Sequence, residues 1–552
     1  MFNLVMIILP FIFPYALLGE NSSNLILFIM GILFLFFKSK ESVTIDKPFL
    51  RWSVLFALLA FIMTCFVNGT LYSFSGLSIY LNLVVYYISY CHIFAHQDKR
   101  EFYFKYLLIA MTVTASYYLL SEGILYGIRV RGNFGYSNTY ALFLLLSLIL
   151  NHVLHLKYNR IINLILITTL LATGSRLTLV LALVYLVLIM FKTKKYRSCF
   201  IIVMISIIMY TLISQLGIRS LFFVPGLLFM MDKLKGCHCW GLGGVGLLFF
   251  IGTNTYERLL NFSMKNASFL ERMISFKDGI QAIKNHPFGQ GIQSYEYSHV
   301  MYDTAFYDPK YLHNSVLQIM YDIGIIGGIL FLILMFYAYR NVMTSHPFFK
   351  VALISVFLHS LMDFDIAFSA TFIVIALLVS LNGQDVIKPV SLLAGVLLVP
   401  SVYLLLYELL LGTIVSTQFP ITDYRANLLL ATKNLSSSDL EQALQQLELA
   451  QEKEAQHPNV IWNLAYIHEK LGNVEEAMAY RLQSVKFQPY HQEAYREYNR
   501  FLQEQYSQTK NTIYLSKQQE LVTIYQQAIL NQSSKASYLP NQLPLTFDEI
   551  ID

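Results

Sequence analysis

Long apolar runs, separated by short polar loops, fill about the first three quarters of the chain. A membrane-spanning helix needs about 20 mostly apolar residues, and fewer where flanking side chains snorkel to the interface. Residues 221–252 are ambiguous, because the polar segment 232–236 interrupts them. The other candidate spans are 2–18, 24–37, 52–67, 74–95, 106–121, 138–155, 161–173, 177–191, 199–216, 316–339, 349–362, 366–381 and 390–411. The pattern predicts an all-α, polytopic membrane helical bundle with 12–14 spans.

The composition excludes several soluble classes of protein. Of the 552 residues, 56% are hydrophobic and 13% are charged, whereas soluble globular proteins have about 25% charged residues. A cytosolic enzyme, a secreted disulfide scaffold and a disordered protein are therefore excluded. All five cysteines precede residue 413, so the stability of the last quarter must come from packing and not from disulfides.

The charge balance divides the chain in two. Residues 1–412 hold 28 Lys+Arg against 18 Asp+Glu, whereas residues 413–552 hold 11 Lys+Arg against 16 Asp+Glu. We therefore predict a transmembrane domain at 1–412 and a small helical domain at 413–530. Residues 531–552, which are polar and contain two prolines, are predicted to form a flexible C-terminal tail.

The acidic second part shows the spacing of a tetratricopeptide repeat. One repeat is well matched, by Leu464, Ala465, Gly472, Ala477 and Pro489. Degenerate copies are predicted on both sides of it, since about three repeats are needed to bury the core of a solenoid. Arrays of this type usually bind a peptide or another protein, so a protein partner of this tetratricopeptide-like domain is expected.

The basic residues orient the predicted helices. Cytoplasmic loops carry an excess of Lys and Arg. Sixteen basic residues fall in one set of alternate short loops, and the other set holds only Arg129, Arg131 and Arg176. With the N-terminus inside, a large loop at about 253–315 and the C-terminal domain are predicted to be extracytoplasmic.

The three arginines of the second set suggest anion binding. An arginine kept on the outer face beside apolar helices opposes the sorting preference and costs insertion energy. For Arg129 and Arg131 a position at a lipid headgroup is an alternative interpretation. Arg176 lies in Gly174-Ser175-Arg176, between two closely spaced spans, and there we favour anion binding.

Residues 271–328 hold most of the remaining chemistry. They combine Arg272, a glycine-rich turn at 286–291, several tyrosines and His313, which directly precedes a long predicted span. Histidine is the side chain best suited to accept a proton near neutral pH. A lone histidine at a helix start is usually a capping or interface residue, but the convergence of Arg, Gly and Tyr makes His313 a candidate general base.

No other common catalytic or metal-binding template is found. The sequence lacks a Walker loop, a nucleophile elbow and a His-Glu-x-x-His motif, and Cys237-His238-Cys239 is too compact to surround one zinc ion. Neither a metal nor a cofactor is expected. If a phosphate is the leaving group of a reaction at this site, its charge would be balanced by arginine and lysine side chains and not by a metal ion.

A set of motifs in a fixed order resembles the O-antigen ligase/polymerase superfamily, over roughly residues 120–380. This superfamily includes O-antigen ligases, O-antigen polymerases and bacterial protein O-oligosaccharyltransferases. The motifs are Arg131-Gly132-Asn133-Phe134-Gly135 with Ser137-Asn138-Thr139-Tyr140-Ala141, Gly174-Ser175-Arg176, Arg272 with the turn 286–291, His313-Asn314 ahead of Asp322-Ile323-Gly324-Ile325-Ile326-Gly327, and His359-Ser360-Leu361-Met362-Asp363-Phe364.

The resemblance implies a metal-independent transferase in the bacterial cytoplasmic membrane, acting at its outer face. It would move a glycan from an undecaprenyl-diphosphate carrier to a hydroxyl of a glycolipid, glycan or protein acceptor. His313 would match the family's essential loop histidine, and Arg176, Arg272 and Arg131 its diphosphate-binding arginines. The motifs supply supporting residues, Asn314, His359 and Asp363. Membrane lipids are expected partners and nucleic acid is not.

Three alternatives remain open. A polymerase would join repeat units on the same carrier. A lipid-linked oligosaccharide flippase would usually show an internal repeat and broken helices at the membrane midplane, whereas no repeat between the halves is visible. A non-enzymatic anchor that displays the C-terminal domain would not need so many spans or arginines on the outer side.

Overall fold

The computed structural model places most of the chain. It describes residues 1–38, 41–67, 69–95, 97–154, 156–193, 196–233, 251, 253, 255–257, 266–342, 347–383, 385–387, 391–544 and 546–551. The ambiguous stretch at 221–252 thus lies outside the described residues from 234 onwards, apart from 251, and so does the Cys-His-Cys sequence at 237–239.

The described residues are almost entirely helical. Helices α1 to α6 are Phe2–Ile12, Tyr15–Leu18, Glu20–Lys38, Lys47–Val67, Leu71–Ile93 and Arg100–Tyr118. Helices α7 to α11 are Ser137–Leu154, Asn159–Thr173, Arg176–Thr193, Tyr196–Leu216 and Val224–Lys233. Helices α12 to α17 are Ala267–Asn285, Tyr295–Ser298, Ser315–Asn341, Pro347–Ser360, Ser369–Val379 and Ser391–Leu410. Helices α18 to α25 are Ile414–Thr417, Tyr424–Ser436, Leu440–Lys453, Pro458–Leu471, Val474–Phe487, Gln492–Thr509, Ile513–Asn531 and Asp548–Ile551.

Short irregular helices and one small sheet complete these elements. A π-helical segment, Leu119–Leu125, continues α6. The 3₁₀ turns are Gln97–Lys99, Gly132–Phe134, Gly217–Phe223, His299–Met301, Asp365–Ala367, Ser380–Asn382 and Ala536–Tyr538. Strands β1, Val43–Ile45, and β2, Asp385–Ile387, pair antiparallel with Thr44 opposite Val386.

Seven helices among the described residues are long and apolar enough to cross a membrane. They are Glu20–Lys38, Lys47–Val67, Leu71–Ile93, Arg100–Leu125, Ser137–Leu154, Phe200–Phe229 and Ser315–Asn341. Shorter apolar helices are Phe2–Ile12, Asn159–Thr173, Arg176–Phe191, Pro347–Ser360, Ser369–Asn382 and Gly395–Leu410. The prediction of an all-α polytopic membrane protein is confirmed, whereas the number of 12–14 spans stays a prediction.

The chain forms two compact units. The first unit comprises residues 1–57, 78–262 and 330–401, and the second comprises residues 58–77, 263–329 and 402–552. The division passes through α4, α5, α14 and α17. The predicted domains 1–412, 413–530 and 531–552 are based on composition and stay predictions. The two compact units are defined by which residues pack together.

Amide and aromatic contacts hold the buried polar segments of the first unit. Asn24 Nδ2 donates to the Ala367 carbonyl (3.0 Å), while Asn24 Oδ1 accepts the Ser369 N–H (2.9 Å). The ring of Tyr15 meets that of Phe368 edge-on, with centroids 5.4 Å apart. A buried amide is costly unless its donor and acceptor are both bonded. Asn24 therefore fixes the chain entering α16.

Consecutive helices pack on one another in the C-terminal part of the second unit, from α19 to α24. Helix starts carry the expected signals: Asp423 and Asp439 accept backbone N–H groups of α19 and α20. Gly472, with φ of +80°, ends α21 in the left-handed conformation that glycine adopts readily. The tetratricopeptide assignment itself stays a prediction. We call α19 to α24 the helical array.

Helix α14 is broken at Ile323–Gly324, and the turn 286–291 packs into the break. Backbone groups exposed within an apolar helix must find partners in the protein. Three hydrogen bonds supply them: Gln290 N–H to the Tyr321 carbonyl (2.8 Å), Gly291 N–H to the Asp322 carbonyl (3.0 Å) and Ile325 N–H to the Pro287 carbonyl (2.9 Å). The turn therefore completes the backbone pairing of the broken helix.

Two glycines allow this close approach. Gly324 has φ of +82° and Gly289 has φ of +88°, values that side-chain-bearing residues rarely adopt. A Cβ on Gly289 would lie 2.6 Å from the Asp322 carbonyl oxygen, and a Cβ on Gly324 would lie 2.8 Å from the Pro287 carbonyl oxygen. Both obstacles are backbone atoms, which cannot rotate away. The glycines of two separate motifs are thus one structural feature.

Candidate functional site

His313 lies two residues before α14, and its neighbours fix its backbone. Asn314 caps the helix, because its Oδ1 accepts the N–H groups of Val316 and Leu317, each at 3.0 Å. On the other side, the Leu312 N–H donates to Gln318 Oε1 (2.7 Å). His313 is half-buried. Asn314 thus orients the start of the helix that follows His313, while its supporting role in the site stays a prediction.

The same unit packs the His313 segment against the helix that carries Arg272. The Leu312 side chain packs on Gly279 of α12, where an added Cβ would overlap Leu312 Cδ1 and would force that side chain to shift. Gly279 is seven residues, or about two turns, beyond Arg272 on this helix. Arg272 is half-buried on α12, at the edge of the face that holds the buried Ser275 and Gly279. The backbones carrying Arg272 and His313 are thus parts of one packed assembly.

A buried carboxylate joins α12 to the loop that leads to His313. Asp278, which is 2% exposed, accepts the Thr304 N–H (2.8 Å), the Thr304 hydroxyl (3.0 Å) and the Tyr307 hydroxyl (3.1 Å). Burial raises the pKa of Asp278 to about 6, although the bonds from Thr304 oppose this shift. The loop and helix therefore meet at a group that titrates below neutral pH.

This shift predicts a pH dependence of stability. Asp278 has a higher pKa in the folded state than the ordinary value of 3.8, so the folded state binds the proton more tightly. The free energy of unfolding should fall by about 3 kcal/mol as pH rises from about 4 to 6, and then level off. We expect unfolding temperatures of the purified protein to show this slope, and Asp278→Asn to flatten it. An equal slope in the variant would contradict the assignment.

A buried histidine–aspartate pair lies beside this carboxylate. His299 Nδ1 is 2.9 Å from Asp303 Oδ2, and the imidazole stacks with the rings of Tyr295 and Tyr307, with centroids 5.0 and 5.6 Å apart. Burial alone would lower the pKa of His299, but the Asp303 carboxylate outweighs it and raises the pKa. The sequence-based reasoning had not singled out this pair. Its i, i+4 spacing is the signal in the sequence, although the helical turn His299–Met301 ends before Asp303.

In the first unit, Asp363 is held by the asparagine motif. Asn138 Nδ2 donates to Asp363 Oδ2 (2.7 Å), and the Tyr136 hydroxyl donates to Asp363 Oδ1 (2.9 Å). Asn138 Oδ1 in turn accepts from Arg129 Nη2 (2.8 Å). Asp363 is buried, so these bonds supply the partners that its charge requires. Residues from two distant motifs thereby form one guanidinium–amide–carboxylate chain.

Arg129 begins this chain of three side chains. The sequence left two interpretations of Arg129, anion binding and a position at a lipid headgroup. Its Nε also donates to the carbonyl of Thr173, at the end of α8. The backbone of the next residue, Val130, follows the same helix end, since its N–H donates to the Ala172 carbonyl (3.1 Å). Arg129 is therefore held at the turn that leads into Gly174-Ser175-Arg176.

His359 pairs with Asp365, two residues beyond the predicted Asp363. His359 Nδ1 is 2.6 Å from Asp365 Oδ2, and both side chains are buried. Asp365 Oδ1 also accepts the hydroxyl of Thr139 (2.9 Å), one residue after Asn138. The Asn138–Thr139 dipeptide thus contacts both aspartates of the turn at 363–365 and joins the two motifs.

The other two arginines that the sequence predicts on the outer side, Arg176 and Arg131, differ in exposure. Arg176 begins α9 and is half-buried, directly after Ser175, whose hydroxyl is 3.0 Å from that of Thr178. The side chain of Arg131 is exposed, while its backbone N–H donates to Glu122 (2.6 Å). Anion binding by either arginine stays a prediction.

The predicted site residues thus fall into two groups. The first unit holds Arg131, Arg176, His359 and Asp363, and the second holds Arg272, His313 and Asn314. The first group has two arginines, one buried histidine and one buried carboxylate. The second offers an imidazole and an arginine beside a tyrosine-rich loop. Over the described ranges, no group of three or more His, Cys, Asp or Glu residues is arranged to hold a metal ion.

Comparison with known proteins gives one positive result. Residues 161–332 match a family model described as O-antigen ligase. The match contains Arg176, Arg272 and His313, together with the turn 286–291 and the break in α14. No curated protein matches the chain. The family match confirms the resemblance drawn from the motifs and supports placing this polytopic membrane protein in the O-antigen ligase/polymerase superfamily, whose chemistry is membrane glycan transfer.

Proposed function

We propose that the protein transfers a glycan from an undecaprenyl-diphosphate carrier to an acceptor hydroxyl at the outer face of the bacterial cytoplasmic membrane. The observation that carries the proposal is the O-antigen ligase match at 161–332 around His313, a histidine whose backbone is held on both sides. A glycosyl diphosphate already has a good leaving group. The protein must then place the acceptor oxygen, remove its proton and stabilise the departing charge.

The roles follow from the chemistry of each side chain. His313 accepts the proton of the acceptor hydroxyl as the new glycosidic bond forms and the bond to the diphosphate breaks. Arg176, Arg272 and Arg131 are the candidates that bind the diphosphate, because a guanidinium group can donate two parallel hydrogen bonds to phosphate oxygens. Asn314 positions His313, and the Arg129–Asn138–Asp363 chain positions the segment before Arg176.

The direct test uses purified protein in vesicles with a lipid-linked glycan and candidate acceptors. Release of undecaprenyl diphosphate together with a new glycosidic bond would support the transferase. A ladder of product sizes would identify a polymerase, and a single added glycan would identify a ligase. Movement of the carrier across the vesicle membrane without bond formation would instead favour the flippase.

Replacing Arg176 by lysine tests the diphosphate role. Lysine keeps the positive charge but cannot donate two parallel hydrogen bonds. We expect release of undecaprenyl diphosphate to fall by about 10²–10³-fold, the usual cost of losing a charge-stabilising donor. The exposed Arg496 of the helical array, which pairs with Glu493, supplies a matched Arg→Lys control. Wild-type turnover in Arg176→Lys would reject the assignment.

A further inference from the structure

Residues 533–544 lie against the loop that leads to His313, although the sequence predicts a flexible tail there. We call them the C-terminal strap. The Ser533 N–H donates to the Thr304 carbonyl (2.7 Å). Gln542 makes two bonds to Phe306: its Oε1 accepts the Phe306 N–H (2.9 Å), and its Nε2 donates to the Phe306 carbonyl (2.7 Å). One amide side chain thus pairs with both backbone groups of one loop residue.

Apolar contacts add to these bonds. Ala536 and Leu539 of the strap are buried in a cluster whose other members come from α12 and the loop, namely Leu270, Ile274, Ala305 and Tyr307. Leu270 and Ile274 flank Arg272 in the sequence. The strap therefore covers the part of α12 that carries one predicted site residue and the loop that precedes the other.

The strap is also attached to the helical array. The Gln492 side chain donates to the Gln542 carbonyl, and the Tyr525 hydroxyl donates to the Pro544 carbonyl (2.6 Å). Leu543 is buried among the array residues, and the partly buried side chain of Phe306 in the loop packs against the same cluster. The loop, the strap and the array consequently share one packed region inside the second unit.

We propose that the C-terminal strap is a positioning element of the transferase, with Gln542 as its main positioning residue. The strap holds Thr304 to Phe306, and these residues restrain the seven that follow up to His313. This inference rests on the proposed function. An imidazole displaced by about 1 Å loses catalytic power on the order of 10²-fold, even though its own chemistry is unchanged.

The test keeps the full chain and changes single side chains. In Gln542→Ala both bonds to Phe306 are lost. In Gln542→Glu only the bond from the Phe306 N–H is retained, because a carboxylate cannot donate to the carbonyl. Leu539→Ala weakens the apolar contact and leaves Gln542 in place. Matched controls are Gln503→Ala and Ser537→Ala, whose side chains are exposed in the array and in the strap.

We expect the three strap variants to lower kcat by about ten- to a hundredfold while KM for the lipid-linked donor changes by less than about threefold. Hydrogen exchange of the 299–312 amides should become about tenfold or more faster in them. Exchange in α7 and α8, in the first unit, should stay at the wild-type rate and so report an intact fold. The controls should match the wild type in every measurement.

If Gln542→Ala and Leu539→Ala kept the wild-type kcat, or the wild-type hydrogen-exchange rates at 299–312, the proposed positioning role of the strap would be wrong. An equal rise of KM and fall of kcat in all variants would also overturn it, because that pattern indicates general damage. The two proposals fail differently. If His313→Ala keeps full activity, the proposed function loses its base; if His313 is required and the strap variants are normal, only the strap inference is lost.

Discussion

Replacing His313 by alanine is expected to lower the release of undecaprenyl diphosphate by about 10²–10⁴-fold, the range typical for loss of a general base. The backbone of residues 312–318 should stay in place, because Asn314 Oδ1 and Gln318 Oε1 accept its N–H groups and both side chains are kept in the variant. KM for the donor should therefore change little. Turnover with a saturating lipid-linked glycan, measured as diphosphate release, is the quantity to compare.

Two further measurements separate a base from a structural histidine. Added imidazole should restore part of the turnover of His313→Ala, since a small base can occupy the vacated space, and should not affect the wild type. His286→Ala is the matched control, because this imidazole is exposed in the same unit and bonds to the Tyr302 hydroxyl. Full activity of His313→Ala, or loss without any rescue, would exclude the proposed role.

The second large effect concerns the break in α14. Gly324→Ala and Gly289→Ala should each lower the free energy of unfolding by about 3–5 kcal/mol. About 1–2 kcal/mol of this is the strain of a side-chain-bearing residue at positive φ. The rest comes from the hydrogen bonds of the turn 286–291, worth about 0.5–1.5 kcal/mol each, that a displaced backbone cannot make. Denaturation of the purified protein in detergent measures this loss.

Gly472→Ala separates strain from contact. Gly472 has φ of +80°, close to that of Gly324, but a Cβ added there would meet no atom within 4 Å. We expect this control to lose only the strain component, about 1–2 kcal/mol. If Gly324→Ala cost no more than Gly472→Ala, the close packing of the turn into the broken helix would not be a source of stability.

Several features of the candidate site were readable from the motifs, and others were not. The turn 286–291 and the segment 322–327 were both recognised as motifs, but nothing in either indicates that one fills a break in the other. The asparagine motif and the motif at 359–364 were likewise separate observations. Their connection through Asn138, Thr139 and two aspartates depends on the packing of residues more than 220 positions apart.

The contacts of the C-terminal strap could not be predicted from its composition either. Residues 531–552 are polar and contain prolines, a composition that predicts a loosely held end. The contacts of Gln542 and Leu539 come from the loop at 304–307, which lies more than 200 residues earlier. Propensity and composition describe a segment's own preference, and they carry no information about a distant surface that pairs with it.

The sequence by itself determined that this is an all-α polytopic membrane protein, and its ordered motifs resemble those of the O-antigen ligase/polymerase superfamily. Apolar run length and ordered motifs are local properties, and a bilayer tolerates few backbone solutions. Only the tertiary structure decided three contacts. The turn 286–291 bonds to the backbone at the break in α14, His359 pairs with Asp365, and Gln542 binds Phe306. His359 and Asp365 are neighbours in the chain, whereas the other two contacts join separate segments. In each case the partner is selected by packing and by the need to pair buried polar groups.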